Sequence, residues 1–86
     1  MPKEWQKEWD TDADCEGMLC PLPVLRARKL LSSMPLGAVL RVRATDPMAA
    51  IDLPHFCTAE GHDLLASDVE GAVATYLIRC GKNTKG

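Results

Sequence analysis

The sequence has little net charge, few aromatic residues and no long apolar run. Its 86 residues carry a formal net charge of -2, and aromatic residues make up 5% of them. Such a chain has no general field that attracts phosphate backbones, so no direct nucleic-acid partner is expected. The apolar runs are too short to span a bilayer, and the first ten residues, MPKEWQKEWD, lack the apolar stretch of a secretory signal. We therefore expect a cytoplasmic protein without a membrane partner.

Motifs for metals and cofactors are missing as well. The sequence contains no C-x-x-C pair, and its cysteines and histidines do not have the spacing of a standard zinc site. Nucleophile-elbow, P-loop and dinucleotide motifs are also absent. We expect no metal and no cofactor, and we interpret the two histidines, His55 and His62, as surface or hydrogen-bonded residues rather than catalytic ones.

The length predicts one domain. A chain of 86 residues can form one compact core and has no room for a second. We assign residues 1–86 to a single domain, with a loose N-terminal tail over residues 1–9 and a frayed C-terminus over residues 81–86.

Hydrophobic periodicity predicts the order β-α-β-α-β-β. Alternating or β-branched runs indicate strands over residues 9–15, 38–44, 64–69 and 72–79, with the last two joined as a hairpin at Glu70-Gly71. Helical patterns occupy residues 24–34 and the segment from Asp46-Pro47 to Gly61, the second interrupted at Pro54. These elements predict an α+β fold, a two-layer α/β sandwich in which a four-stranded mixed sheet carries both helices on one face. The charged residues of the first two strands, including Arg41 and Arg43, should face solvent.

The first predicted helix has an apolar stripe and a basic side. The stripe for the core consists of Val24, Ala27, Leu30, Leu31 and Met34. Leu25 lies off this stripe, and Leu22 lies in the preceding loop, so both are candidates for an exposed apolar rim that contacts partner proteins. The alternative is that Leu25 packs against its own loop. Arg26, Arg28 and Lys29 would surround the rim.

Cys20 stands where the backbone can alter its chemistry. Gly17 ends the first strand, Pro21 biases Cys20 towards an extended conformation, and Pro23 sets the backbone for a helix. The positive end of that helix would stabilise a thiolate, which predicts a lowered pKa and an exposed, nucleophilic sulfur. The alternative is that Cys20 is only a small apolar residue beside a helix start.

The other three cysteines have simpler interpretations. Cys57 lies among apolar residues of the second helix and should be buried, and Cys80 lies at the end of a strand. Cys15 is only five residues from Cys20 and could reach it across the loop. A redox module that cycles between a Cys15–Cys20 disulfide and two thiols is therefore a second hypothesis, and a regulatory interaction module is a third.

Several motifs together resemble one known family. They are Gly17-Met18-Leu19-Cys20-Pro21-Leu22-Pro23, Arg28-Lys29, Asp46-Pro47, Asp52-Leu53-Pro54-His55-Phe56-Cys57 and Gly61-His62-Asp63-Leu64. Over residues 12–81 the chain resembles the TusA/SirA family of sulfur carriers.

This resemblance implies a sulfurtransferase-type carrier with a covalent persulfide on Cys20. Pro21 and Pro23 would shape the loop, and Arg28 and Lys29 would dock partners. A cysteine desulfurase or a rhodanese would donate the sulfur, and a thiol-bearing protein would accept it. The acceptor pathway would be tRNA thiolation, molybdenum-cofactor assembly or sulfur oxidation.

Overall fold

The computed structural model describes residues 9–81. Its elements in chain order are β1 Thr11–Cys15, α1 Leu22–Ser32, β2 Val39–Ala44, α2 Ala49–Glu60, β3 Asp63–Glu70 and β4 Val73–Arg79. This order is the predicted one. The two terminal segments for which we predicted a loose tail and a frayed end fall almost wholly outside the described residues.

The four strands form one mixed sheet in the order β1-β2-β4-β3. β1 and β2 are parallel, whereas β4 is antiparallel to both of its neighbours. Leu40 and Val42 of β2 are fully buried and alternate with half-buried residues, because one face of the sheet lies against the core. Leu31 of α1 and Leu53 of α2 join the same core. The predicted two-layer sandwich is confirmed.

On the opposite face of the sheet, the prediction that Arg41 and Arg43 face solvent is wrong. Arg41 and Arg43 do not extend freely into solvent, since both bind the carboxylate of Asp12 on β1, at 2.7 Å and 2.8 Å. Arg43 also pairs with Glu16 at 3.0 Å, and the Trp9 ring lies 4.4 Å from the Arg41 guanidinium. The side chains of Asp12, Arg41 and Arg43 are partly buried because they pack against one another and against Trp9. Asp12 of β1 is therefore part of an ion-pair network, whereas Asp14 on the same strand stays largely exposed as predicted.

The prediction that Pro54 interrupts the second helix is also wrong, because α2 runs continuously through it. A proline removes one N–H donor, but its fixed φ is compatible with a helix. Leu53 and Phe56, on either side of it, are both buried in the core, and this packing keeps the helix continuous. α2 ends as predicted at Gly61, whose φ of +80° is the left-handed conformation that glycine adopts most readily.

The hairpin turn lies one residue later than predicted. β3 continues through Glu70, and the turn is formed by Gly71 and Ala72. Within residues 9–81 no helix is both long enough and apolar enough to cross a membrane.

Candidate functional site

The site begins with the loop that leaves β1. Cys15 ends β1 in the core, and Gly17 turns the chain with a φ of +83°. The Gly17 N–H donates a hydrogen bond to the Thr45 Oγ1 at 2.9 Å, just after the end of β2. The loop is therefore attached to the connection between β2 and α2.

The start of α1 places Cys20 at the surface. The helix begins at Leu22, so Cys20 lies two residues before its first residue. Pro21 is the cap residue, and Pro23, in the first turn, is fully buried and anchors the helix start in the core. Cys20 itself is exposed. α1 thus starts two residues before the predicted residue 24, so that Leu22 lies on the helix rather than in the loop, and the sulfur is accessible as expected.

Two aspartates hold Cys20. The Cys20 backbone N–H donates to the Asp46 Oδ2 at 2.6 Å, and the Cys20 thiol donates to the Asp52 Oδ2 at 2.9 Å. Asp46 precedes α2 and Asp52 lies in its first turn. The residue that carries the candidate sulfur is thus fixed through both its backbone and its side chain.

The charges around the Cys20 sulfur act against the lowered pKa that we predicted for it. The hydrogen bond to Asp52 raises the pKa of the Cys20 thiol above its ordinary value, a loss of solvation adds to the rise, and the negative charges of Asp52 and Asp46 add further. A carboxylate next to a thiol disfavours the thiolate. This direction is opposite to the lowered pKa that we predicted from the helix N-terminus, and it favours the thiol over the thiolate.

Sequence reasoning quoted Asp46 and Asp52 within family motifs, and Asp46 also as a helix-start signal, but it assigned neither residue to the site. Parallel pairing of β1 and β2 supplies the reason for their proximity, because the carboxyl ends of two parallel strands lie at the same edge of a sheet. Cys20 follows β1, and both aspartates follow β2. A prediction of parallel pairing for these two strands would have placed the three residues together.

Apolar side chains flank the thiol on both helices. Leu19, Leu22 and Leu25 are exposed by 69%, 51% and 50% on the side of the loop and α1. Met48 and Ile51, beside the two aspartates, are exposed by 44% and 63%. We call these five residues together with Cys20 the thiol surface. Leu22 and Leu25 were expected here, whereas Leu19, Met48 and Ile51 were not.

The predicted basic residues lie further along α1. Arg26, Arg28 and Lys29 are all exposed. Lys29 is seven residues beyond Leu22, which corresponds to roughly 10 Å along a helix axis. The charged groups that shift the pKa of Cys20 are both carboxylates. The cations therefore border the thiol surface and do not stabilise the Cys20 thiolate.

The other three cysteines are buried. Cys15 is inaccessible in the core, and burial raises its pKa. Burial also raises the pKa of Cys57, to about 11, and Cys80 lies 3.6 Å from the carbonyl oxygens of Leu31 and Met34. None of these four cysteines forms a disulfide. Cys20 is the one whose sulfur a second protein can reach.

The histidines have the structural roles that we expected. His55 is exposed on α2. His62 is buried, its Nδ1 accepts the Gly81 N–H at 3.1 Å, and its ring lies 5.5 Å from that of Phe56. Among residues 9–81 no group of three or more potential ligands is arranged to hold a metal ion.

A groove of about 350 Å³ lies next to the Cys20 loop, between the start of α2 and the end of the β3–β4 hairpin. Its walls come from Ala44, Thr45, Asp46, Pro47, Ala50, Val69, Ala72, Ala74 and Tyr76. Asp46 belongs both to this groove and to the site, since it also accepts the Cys20 N–H.

The fold and the site together define a small α+β protein that presents one accessible thiol at a proline-bounded helix start. The family described as Sulfurtransferase TusA matches residues 11–80. The chain therefore belongs to the TusA family, and the resemblance seen in its motifs is confirmed.

Individual relatives agree with this assignment. The chain is 42% identical over 72 residues to a protein of Allochromatium vinosum named sulfur carrier protein TusA. The matched segment covers 84% of this chain and 95% of the relative. A protein of the same name from Pseudomonas syringae pv. syringae is 39% identical over 70 residues, or 81% of this chain and 83% of the relative. The crystal structure of a SirA-like protein from Desulfitobacterium hafniense shares the fold, with a TM-score of 0.75, 24% identity, and coverage of 85% of this chain and 100% of that one.

Proposed function

We propose that this protein is a sulfur carrier that holds a persulfide on Cys20. Its relatives are named sulfur carrier proteins, and a carrier needs a thiol that successive partners can reach. The observation that carries the proposal is the exposure of Cys20 in the loop before α1, while Cys15, Cys57 and Cys80 are buried.

The reaction is an exchange of sulfane sulfur between thiols. The Cys20 sulfur attacks the outer sulfur of a donor persulfide and forms a new S–S bond. The old S–S bond breaks, its electron pair stays on the inner sulfur of the donor, and that sulfur takes up the proton that Cys20 gives up. The acceptor thiol then attacks the outer sulfur of the Cys20 persulfide in the same way. No oxidant, metal or cofactor is consumed in either step.

The donor in this proposal is a cysteine desulfurase or a rhodanese, and the acceptor is a thiol-bearing protein. Both must approach the same sulfur, so they bind the same surface in turn. The thiol surface offers apolar contacts through Leu22 and Leu25, and Arg26, Arg28 and Lys29 supply polar contacts at its border. Delivery leads to tRNA thiolation, molybdenum-cofactor assembly or sulfur oxidation, according to the acceptor.

We place the carrier in the cytoplasm. Relay between thiol proteins requires that their cysteines stay reduced between encounters, and reducing compartments provide this condition.

The redox alternative is disfavoured by the position of Cys15. A disulfide requires Cβ atoms about 3.8 Å apart with their side chains directed at each other. Cys15 points into the core and is inaccessible, whereas Cys20 is exposed and bonded to Asp52. Formation of the disulfide would require the strand end to leave the core.

A two-stage loading assay tests the proposal. The reduced protein is incubated with a cysteine desulfurase and radiolabelled cysteine, separated from the donor, and mixed with an acceptor thiol protein. We expect label to bind the wild-type protein and then to appear on the acceptor, and we expect Cys20→Ser to take up none. Wild-type protein that takes up no label, or a Cys20→Ser variant that takes up as much as wild type, would overturn the proposal.

A further inference from the structure

We infer that Asp52 controls the protonation of Cys20, holding its sulfur as a slow-reacting thiol while the carrier is free of partners. This inference rests on the proposed function, because it assigns a second residue to the sulfur-carrying site. It concerns a residue that the sequence analysis quoted within a family motif but gave no role in the site.

The two aspartates have different hydrogen-bond donors and therefore different roles. Both oxygens of Asp46 are occupied by backbone donors, its Oδ2 by the Cys20 N–H at 2.6 Å and its Oδ1 by the Met48 N–H at 3.1 Å. The Asp52 Oδ2 instead accepts the Cys20 thiol at 2.9 Å. Asp46 therefore shapes the loop, and Asp52 is the carboxylate that meets the reacting sulfur.

The position of Asp52 is fixed independently of Cys20. It lies in the first turn of α2, where the helix dipole favours a negative charge, and it is followed by Leu53, which is fully buried. The helix backbone that carries this carboxylate is therefore held by packing against the core. The charged groups that act on Cys20 are Asp52 and Asp46, both of them acidic, and together they raise the pKa of the thiol.

This arrangement has a chemical consequence for a carrier. The thiolate, not the thiol, reacts with oxidants and stray electrophiles, so a thiol held by a carboxylate survives between encounters. Loading then changes the contact, because the outer sulfur of a persulfide extends about 2 Å beyond the Cys20 Sγ. The reactive atom of the loaded carrier is therefore a different atom from the Cys20 Sγ that Asp52 contacts in the free protein.

Asp52 also provides a route for the proton during loading. As the Cys20 sulfur attacks the donor persulfide, its proton passes to the Asp52 Oδ2. The same proton then moves to the inner sulfur of the donor, which leaves with the electron pair of the broken S–S bond. Asp52 is a carboxylate before and after the step, so the proton and charge balance is kept.

The test is the pH dependence of Cys20 alkylation in the unloaded full-length protein. Iodoacetamide reacts with thiolates, and the other three cysteines are buried, so the native protein reports on Cys20. Asp52→Asn keeps the shape of the side chain and removes its charge. We expect the midpoint of its alkylation profile to move to lower pH than in wild type, with a several-fold faster rate at neutral pH.

Two further variants separate charge from structure. Asp63→Asn removes an acidic charge at the opposite end of the sheet and should keep the wild-type profile. Asp52→Glu restores a carboxylate and should move the midpoint back towards that of wild type. If Asp52→Asn is poorly folded by circular dichroism, Asp52→Ser takes its place, with the same expected shift.

An alkylation profile of folded Asp52→Asn that coincides with wild type would overturn the inference. This failure is distinct from failure of the proposed function, because alkylation of the unloaded protein involves no sulfur transfer. The two-stage loading assay with Cys20→Ser decides the function separately.

Discussion

Asp46 and Cys20, 26 positions apart in the chain, are joined by a hydrogen bond of 2.6 Å from the Cys20 N–H to the Asp46 carboxylate. The other oxygen of Asp46 accepts the Met48 N–H, just before α2 begins. One side chain therefore connects the loop before α1 with the start of α2. The conformation that presents the sulfur depends on tertiary structure as well as on the prolines around it.

Asp46→Ala should destabilise the fold and loosen the Cys20 loop. The variant leaves two backbone N–H groups without their carboxylate acceptor, and we expect the free energy of unfolding to fall by about 1–3 kcal/mol. Asp46→Asn retains one acceptor oxygen and should lose less. Urea denaturation followed by circular dichroism measures both variants. Equal stability of Asp46→Ala and wild type would show that this connection is unimportant.

Leu25→Asp should impair docking without unfolding the protein. Leu25 is half-exposed, so its replacement should change the free energy of unfolding by no more than about 0.5 kcal/mol. A charge in the apolar part of the thiol surface should slow sulfur uptake from the donor and delivery to the acceptor. Leu36→Asp is the matched control, since Leu36 is 67% exposed in the connection after α1, away from Cys20. Wild-type rates for both steps in Leu25→Asp would contradict the docking role.

Cys57→Ser should lower stability and spare sulfur loading. The thiol is buried on α2, and a hydroxyl in its place has to be accommodated among apolar groups at a cost of roughly 1–3 kcal/mol. Loading per folded molecule, measured by the radiolabel assay after the folded fraction is determined, should match wild type. A loss of loading in folded Cys57→Ser would make Cys57 part of the relay.

Cys15→Ser should behave in the same way as Cys57→Ser, because Cys15 is also inaccessible in the core. Single loading and repeated turnover should both persist in the folded molecules. A variant that loads once but fails to turn over would identify Cys15 as a resolving thiol and would favour the redox hypothesis.

Asp12 should make the fold sensitive to acid. Burial acts to raise the pKa of Asp12, but its hydrogen bonds from Arg43 and Arg41 outweigh this effect, so the pKa is lowered in the folded protein. The resulting stabilisation is complete above the ordinary carboxyl pKa of about 3.9 and is lost as the pH falls through the lower, folded value. The stability advantage of wild type over Asp12→Asn should therefore shrink in acid. Urea denaturation over a series of acidic pH values measures it, and a constant difference would refute the role of this ion pair.

Local patterns in the sequence predicted most of the fold. The apolar stripe through Ala27 and Leu31 predicted α1, and the alternation of Leu40 and Val42 predicted β2. Both features report on one buried face and require no knowledge of the neighbouring element. Pro54 was misjudged for the opposite reason, because core packing of Leu53 and Phe56 overrides a local signal that favours a break.

The site was only half predictable. Cys20 and the prolines beside it form a local motif, so the exposed thiol at a helix start could be inferred. The raised pKa could not, because Asp52 lies 32 positions away and reaches the thiol through the parallel pairing of β1 with β2. Likewise, Arg41 and Arg43 were assigned to solvent because their partner Asp12 lies on a different strand.

The most direct measurement of the central claim is the position of the carried sulfur. Protein loaded by a cysteine desulfurase is alkylated, digested and analysed by mass spectrometry, with Cys20→Ser processed in parallel. We predict the added mass of one sulfur atom on the peptide that contains Cys20, its removal by a reductant, and no added sulfur on any peptide of Cys20→Ser. Stoichiometric sulfur on Cys15, Cys57 or Cys80 with none on Cys20 would contradict the account.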